Sequence, residues 1–167
     1  MVEIIILNGV AKKNGNTAKL VDAFKEGVDS SHTITEFYIQ SMDIKGCLDC
    51  QSCIGNDSEN PCVQRDDMVK IYEKFSEADI VVFASPMYWG TISGILKTVV
   101  DRLYPFCNPY SPPPYKESIF LMTANSTYYK LALDWYGIFE MMGWKNRGVA
   151  LGVDKIKEAK KLGSDIE

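Results

Sequence analysis

The sequence predicts an α/β fold in which five parallel strands form one sheet with helices on both faces. Three observations lead there. Short apolar runs alternate with segments of helical period along the 167 residues. That alternation calls for parallel strands joined by crossover helices. Two of the runs, Ile4–Leu7 and Ile80–Ala84, are continuously apolar, as in strands covered on both faces. The composition is globular, with 46% hydrophobic and 24% charged residues. A chain of this length buries roughly 68–70% of its unfolded surface, enough for one domain without cross-links.

The elements follow in order. Val2–Leu7 is the first strand, stopped by the loop signal Asn8-Gly9. After Asn16-Thr17, residues Leu20, Val21, Phe24 and Val28 recur at helical spacing. Thr33–Ile39 alternates and is rich in β-branched and aromatic residues, so it reads as the second strand. Ser41–Arg65 carries four cysteines, Gly46, Gly55 and Pro61; loops this long in compact domains are usually functional. Asp66-Asp67 starts a helix through Glu77, with acids at the positive end of its dipole and Met68, Ile71, Tyr72 and Phe75 inward. Asp79–Ala84 is the third strand, broken by Ser85-Pro86. Ile92–Leu103 is a helix with Ile95, Leu96, Val99 and Leu103 on one side. Tyr104–Tyr115 holds five of the seven prolines and suits neither a helix nor a central strand. Ser118–Thr123 is the fourth strand, Ser126–Met142 a helix, Trp144–Leu151 the fifth strand and Asp154–Leu162 the last helix.

Five strands in this order suit the flavodoxin-like three-layer sandwich, with strand order 2-1-3-4-5. Ligands of such sheets bind beyond the carboxyl ends of the strands, where the order reverses. The site therefore falls on the loops after the first, third and fourth strands. The chain reads as a single domain with a cysteine-rich insertion at residues 46–65.

Composition excludes several classes. The net charge of −4 comes without a basic stripe, so no nucleic-acid partner is expected. No apolar run approaches the length that spans a bilayer, and no signal peptide opens the sequence. A cytoplasmic protein that meets no membrane is the expectation. In that reducing compartment, clustered cysteines indicate metal or redox chemistry more than disulfides.

Two loops carry ligand chemistry. The first, Asn8–Thr17, has Gly9 and Gly15 for close backbone approach. Lys12 and Lys13 add charge, Asn14, Asn16 and Thr17 add donors, and a helix N-terminus follows. This is a phosphate cradle, or else an ordinary turn and cap. It matches neither the Gly-x-Gly-x-x-Gly nor the Walker pattern. The second loop, Pro86-Met87-Tyr88-Trp89-Gly90, sets flat and polarizable side chains directly after a strand, as a planar ring needs. The bland reading is surface aromatics packed on the core. Ring plus phosphate at neighbouring strand ends spells a mononucleotide.

The loop Asn8–Thr17, the segment Ser85–Gly90 and Leu96-Lys97 with Asp101-Arg102 resemble the flavodoxin-like NAD(P)H-dependent FMN reductases. The cysteine segment resembles their iron–sulfur flavoprotein branch. The resemblance implies that Gly9 and Lys12 to Thr17 hold the FMN phosphate and that Pro86 to Gly90 border the isoalloxazine. Thr123 and Asn125 would approach the ring from the other side, and NAD(P)H would be the co-substrate. This chain has Val10-Ala11-Lys12 where the family usually has Ser-Pro-Arg; a point charge replaces a bidentate fork.

The cysteines stand as Cys47-x2-Cys50-x2-Cys53-x8-Cys62. This spacing converges three thiolates on one side of a [4Fe–4S] cluster, with a fourth arriving later. Zinc held by four thiolates and free thiols are the other readings. Following the second strand, the loop is expected on the same sheet edge as the flavin. Cys107 reads as a plain loop residue, His32 as a turn residue, and Asp101 and Arg102 as structural ion-pair members. No acid–base or nucleophile constellation is present, which suits chemistry done by a flavin. The expected activity is electron transfer from NAD(P)H to a quinone or other acceptor, with the cluster as a possible relay. An FMN and iron–sulfur carrier that serves ferredoxin-like partners is the alternative. A homodimer or tetramer is expected, because one small chain covers a flavin at a sheet edge only partly.

Overall fold

The computed structural model describes residues 1–56, 58–106, 115–125 and 128–167. The strands are β1 (Glu3–Asn8), β2 (Thr33–Tyr38), β3 (Ile80–Pro86), β4 (Glu117–Thr123) and β5 (Lys145–Leu151). The helices are α1 (Asn16–Gly27), α2 (Met68–Glu77), α3 (Gly94–Arg102), α4 (Lys130–Met141) and α5 (Ile156–Ser164). All strand pairings are parallel, and the order is β2-β1-β3-β4-β5, as expected.

The three central strands, β1, β3 and β4, are apolar on both faces because each face packs a helical layer. Leu7, Phe83 and Phe120 lie in one core with Tyr72 and Phe75 of α2, Leu96 and Val99 of α3, and Tyr136 and Phe139 of α4. Ile6, Val82 and Leu121 meet α1 and α5 on the other face through Leu20, Phe24 and Ala159. On that face α1 and α5 touch backbone to backbone. A Cβ on Gly27 would lie 2.0 Å from the Lys160 carbonyl oxygen, and one on Gly163 would lie 2.2 Å from that of Phe24.

Most element ends shift by a residue or two from expectation, and three of the differences have a visible cause or bound. β3 continues through Ser85-Pro86, pairing with Met122-Thr123. Pro86 is tolerated because its missing N–H faces the β1 side, where pairing ends at Ala84. Asp66 and Asp67 precede α2 because their carboxylates accept backbone N–H groups: Met68 and Lys45 donate to Asp66, and Asp43 donates to Asp67. The fourth helix begins at Lys130, with Ser126 and Thr127 of the expected span outside the described residues. Most of the proline-rich segment, including Cys107, also lies outside them.

Candidate functional site

Hydrogen bonds draw together the loops after β1, β3 and β4. Gly9 N donates to Ala84 O at 2.8 Å. The Ser93 hydroxyl, which caps α3, donates to Gly9 O at 2.8 Å, while Ser93 N donates to the Ser85 hydroxyl at 2.8 Å. Met87 N donates to Thr123 O at 2.9 Å, and the Thr17 and Thr123 hydroxyls share a 2.5 Å bond. Position 9 admits no side chain, since a Cβ would meet Leu96 Cβ at 2.6 Å and Ser93 Oγ at 2.8 Å.

The first loop closes with Gly15 N donating to Lys12 O at 3.0 Å and turns into α1 at Gly15. No side chain caps that helix. Its first N–H groups are therefore left for an incoming acceptor, which the dipole favours as an anion. Lys12, Lys13, Asn14 and Asn16 are exposed around this end; Thr17 is buried. Lys13 leans away, its ammonium 4.9 Å from the centre of the Tyr38 ring. Val10 is buried and contributes packing, with no donor for a ligand.

The loop has a support that the sequence reading did not name. Asn8 donates from Nδ2 to Glu36 Oε1 at 2.7 Å and accepts the Val10 N–H at Oδ1, at 3.2 Å. Glu36 also accepts from Lys25 Nζ at 2.7 Å. Burial pushes the Glu36 carboxyl up, but Lys25 and Asn8 outweigh it and hold the group below the usual carboxylate range. Ser93 was findable as a serine just ahead of an apolar helical run. The Asn8–Glu36 tie was not, because 28 residues separate the partners.

The loop after β3 is a tight reversal. Tyr88 and Thr91 exchange backbone bonds of 2.9 and 3.2 Å around Trp89-Gly90. Both turn residues have positive φ, +50° and +82°, the geometry of a type I′ turn. Trp89 is fully exposed at the tip and Tyr88 half exposed, with Pro86 and Met87 partly buried beneath. Ala124, Asn125 and Tyr129 line an open recess of about 710 Å³ with Leu151–Lys155 at the carboxyl ends of β4 and β5. Burial pushes the Tyr129 phenol up. The three loops thus offer an anion cradle, a flat aromatic wall and an open recess at adjacent strand ends.

Cys47, Cys50, Cys53 and Cys62 line one small cavity together with Tyr104. Burial, followed by the other three thiols, pushes the Cys53 thiol up; a hydrogen bond from Ser52 lowers that of Cys50. Among the described residues, no group of three or more His, Cys, Asp and Glu side chains is arranged to hold a metal ion. Tyr104 brings the C-terminal side of α3 to this cavity. Tyr104 follows the C-terminus of α3, while Ser93 at its N-terminus braces the first loop. The nine residues of α3 put about 14 Å between those ends.

The side chains of Arg102 and Asp66 form a fully buried ion pair at 2.9 Å, a structural role as expected. Asp101 pairs on the surface with Lys97. His32 accepts the Val2 N–H in a turn.

A parallel 2-1-3-4-5 sheet with its loops gathered at the switch point defines a flavodoxin-like protein. Within that class, the chain belongs to the NADPH-dependent FMN reductase family, whose model matches residues 2–127. It is 35% identical over 99 residues to an iron–sulfur flavoprotein of Archaeoglobus fulgidus, covering 59% of this chain and 44% of that protein. The chain spans about half the length of the iron–sulfur flavoproteins first matched. It is 28% identical over 161 residues to Bacillus subtilis YwqN, whose name describes a candidate NAD(P)H-dependent FMN-containing oxidoreductase; that match covers 90% of this chain and 84% of YwqN. The fold superimposes on an NAD(P)H:quinone oxidoreductase from Methanothermobacter marburgensis with a TM-score of 0.73 at 19% identity, over 99% and 96% of the two chains.

Proposed function

We propose that this chain is an FMN-dependent oxidoreductase that takes electrons from NAD(P)H and passes them to a quinone or similar acceptor. The observation that carries the reading is the uncapped N-terminus of α1, bonded through Thr17 and Gly9 to the loops beside Trp89 and Asn125. These residues fit the flavin: position 9 admits only backbone, the helix end takes the phosphate, and Tyr88 and Trp89 border the ring. When bound, the flavin accepts a hydride and releases electrons singly or in pairs. Asn16 and the α1 N–H groups hold the phosphate, Thr123 fixes the ring loop, and Glu36 locks the cradle through Asn8. Anaerobic stopped-flow mixing with NADPH tests the reading. Bleaching of the flavin is expected, and no bleaching by NADPH or NADH overturns it. Reduction only by a reduced ferredoxin supports the electron-carrier reading, which the exposed Leu48 and Val63 beside the cysteines favour as a protein-docking surface.

We read the four cysteines as ligands of a [4Fe–4S] cluster. Zinc held by the same four thiolates is the alternative, and iron and zinc content after anaerobic reconstitution separates the two. Thiols spaced around one cavity suit a cluster, where each binds a different iron. Such a group, when bound, relays single electrons. Cys50 is exposed and belongs to neither core, so Cys50→Ala is expected to abolish cluster absorbance and paramagnetic signals. FMN binding should persist, and the melting temperature should stay within about 3 °C. Loss of FMN from that variant counts against a purely redox loop.

Glu36 gives a pH dependence. Its folded pKa is lowered, so its contribution is complete above the ordinary carboxylate value and fades as pH falls through the lower folded one. FMN affinity is expected to weaken on the acid side, below about pH 4. Glu36→Gln should weaken it about 3- to 10-fold at neutral pH and flatten the acid limb in fluorescence titrations.

We place this single domain in the cytoplasm, where its thiols stay reduced; no helix among the described residues is long and apolar enough to cross a membrane. The apolar groove of about 280 Å³ between α3 and α4, rimmed by exposed Tyr104 and Ile138, supports a two-fold homodimer or a tetramer built from it. Light scattering at micromolar concentration checks this, and a monomer with FMN bound rejects it.

A further inference from the structure

We propose that Arg102 is the positioning residue of the cysteine site, closing the base of the loop before any metal arrives. Only the metal consequence rests on the cluster reading above. Arg102 is the last residue of α3, far from the flavin-facing end of that helix. Its Nη1 donates to Lys45 O at 2.8 Å and to Asp66 Oδ2 at 2.9 Å, and Nη2 donates to Asp66 Oδ1 at 3.2 Å. Asp66 accepts in turn from Lys45 N at 3.0 Å and Met68 N at 3.2 Å. Lys45 lies just ahead of Cys47, and Asp66 lies just after Cys62. One guanidinium therefore joins the two arms of the loop, and both side chains of the pair are only 1% exposed.

The choice of arginine is physical. A planar fork reaches acceptors on two chain segments at once, which an ammonium cannot do with fixed geometry. The remaining ties across the arms lie at the surface: Asp43 and Asp67 bond reciprocally, and Gln64 reaches Gly46 O. Tyr72 of α2 donates to Arg102 O at 2.9 Å, so the clamp is held between two helices. A buried ion pair contributes little net stability compared with apolar replacements. What this one contributes is a fixed separation of the arms. Cys47 and Cys62, one from each arm, then face the same cavity without a metal to gather them.

The test uses the full metal-free chain, following maleimide alkylation of each cysteine by mass spectrometry. The variant Arg102→Met with Asp66→Leu removes both charges together, so neither is left unpaired, and it frees the Lys45 and Met68 backbone groups that the pair holds. Half-buried Cys62 should alkylate about tenfold faster or more, while Cys50, already exposed, stays within about twofold. Arg102→Lys should be intermediate, at about threefold, because it keeps Asp66 and loses the Lys45 carbonyl. After reconstitution with iron and sulfide, the double variant should retain less than about a third of the wild-type iron. An unchanged Cys62 rate in a cooperatively melting double variant overturns the proposal. If that variant does not melt cooperatively, an unchanged rate in Arg102→Lys overturns it. Wild-type protein that takes up no iron rejects the cluster reading, and the alkylation comparison still decides the clamp.

Discussion

Replacing Asn16 and Thr17 together with Ala is expected to lower FMN affinity about 100-fold or more. A charge-assisted hydrogen bond from Asn16 to a phosphate is worth roughly 1.5–3 kcal/mol, and loss of the Thr17 hydroxyl removes the bond that ties this loop to Thr123. The helix end offers no side-chain cap to substitute for them. The two positions act differently. Asn16 is exposed, so its loss costs binding without cost to the fold. Thr17 is buried with its hydroxyl on that of Thr123; its loss also loosens the loop after β4. Asn16→Ala alone should therefore leave the melting temperature unchanged, whereas Thr17→Ala should lower it. Fluorescence titration of metal- and flavin-free protein with FMN gives the affinities. An unchanged dissociation constant in the double variant removes this loop from the phosphate site.

The second large effect is on stability. Gly27→Ala or Gly163→Ala should each destabilise the protein by about 3 kcal/mol, at the upper end for overpacking. A methyl at either position meets a backbone carbonyl oxygen, at 2.0 and 2.2 Å, so no flexible side chain can yield. For a chain of this size the melting temperature should fall by about 6–12 °C. Gly137→Ala in α4 is the control. Nothing lies within 4 Å of its added Cβ, and alanine is the better helix former. A Gly163→Ala protein that melts with the wild type would show that the two helices can part without cost.

What could be read from the sequence was what repeats locally. Ile4–Leu7 and Ile80–Ala84 announced buried strands, and Met68, Ile71, Tyr72 and Phe75 announced one face of α2; all of them are buried. The glycines and donors of the first loop, and the aromatics of the third-strand loop, gave the candidate site by type and order. Long-range pairings were not legible. Asn8 with Glu36 and Thr17 with Thr123 join residues 28 and 106 positions apart, and no periodicity marks them. Pro86 was misread because a strand-breaking residue is harmless where the neighbouring strand has already ended. The partner of Arg102 was not legible either. Asp66 lies 36 residues away in the sequence, and no local pattern joins the two.

The Trp89 turn also makes the chain its own optical probe. Of the three tryptophans, Trp89 stands wholly in water. Trp144 is buried against Phe139, and Trp135 sits edge-on to Phe83 and Phe139. Indoles in water emit at longer wavelength than those in an apolar core, so the red edge of the emission band belongs mainly to Trp89. A blue-absorbing chromophore seated beside that turn should quench the red edge first and leave the core emission brighter. The fluorescence maximum would then shift toward shorter wavelength as the site fills. Trp89→Phe should abolish the shift while the remaining two indoles still report melting, separating occupancy from unfolding in one cuvette.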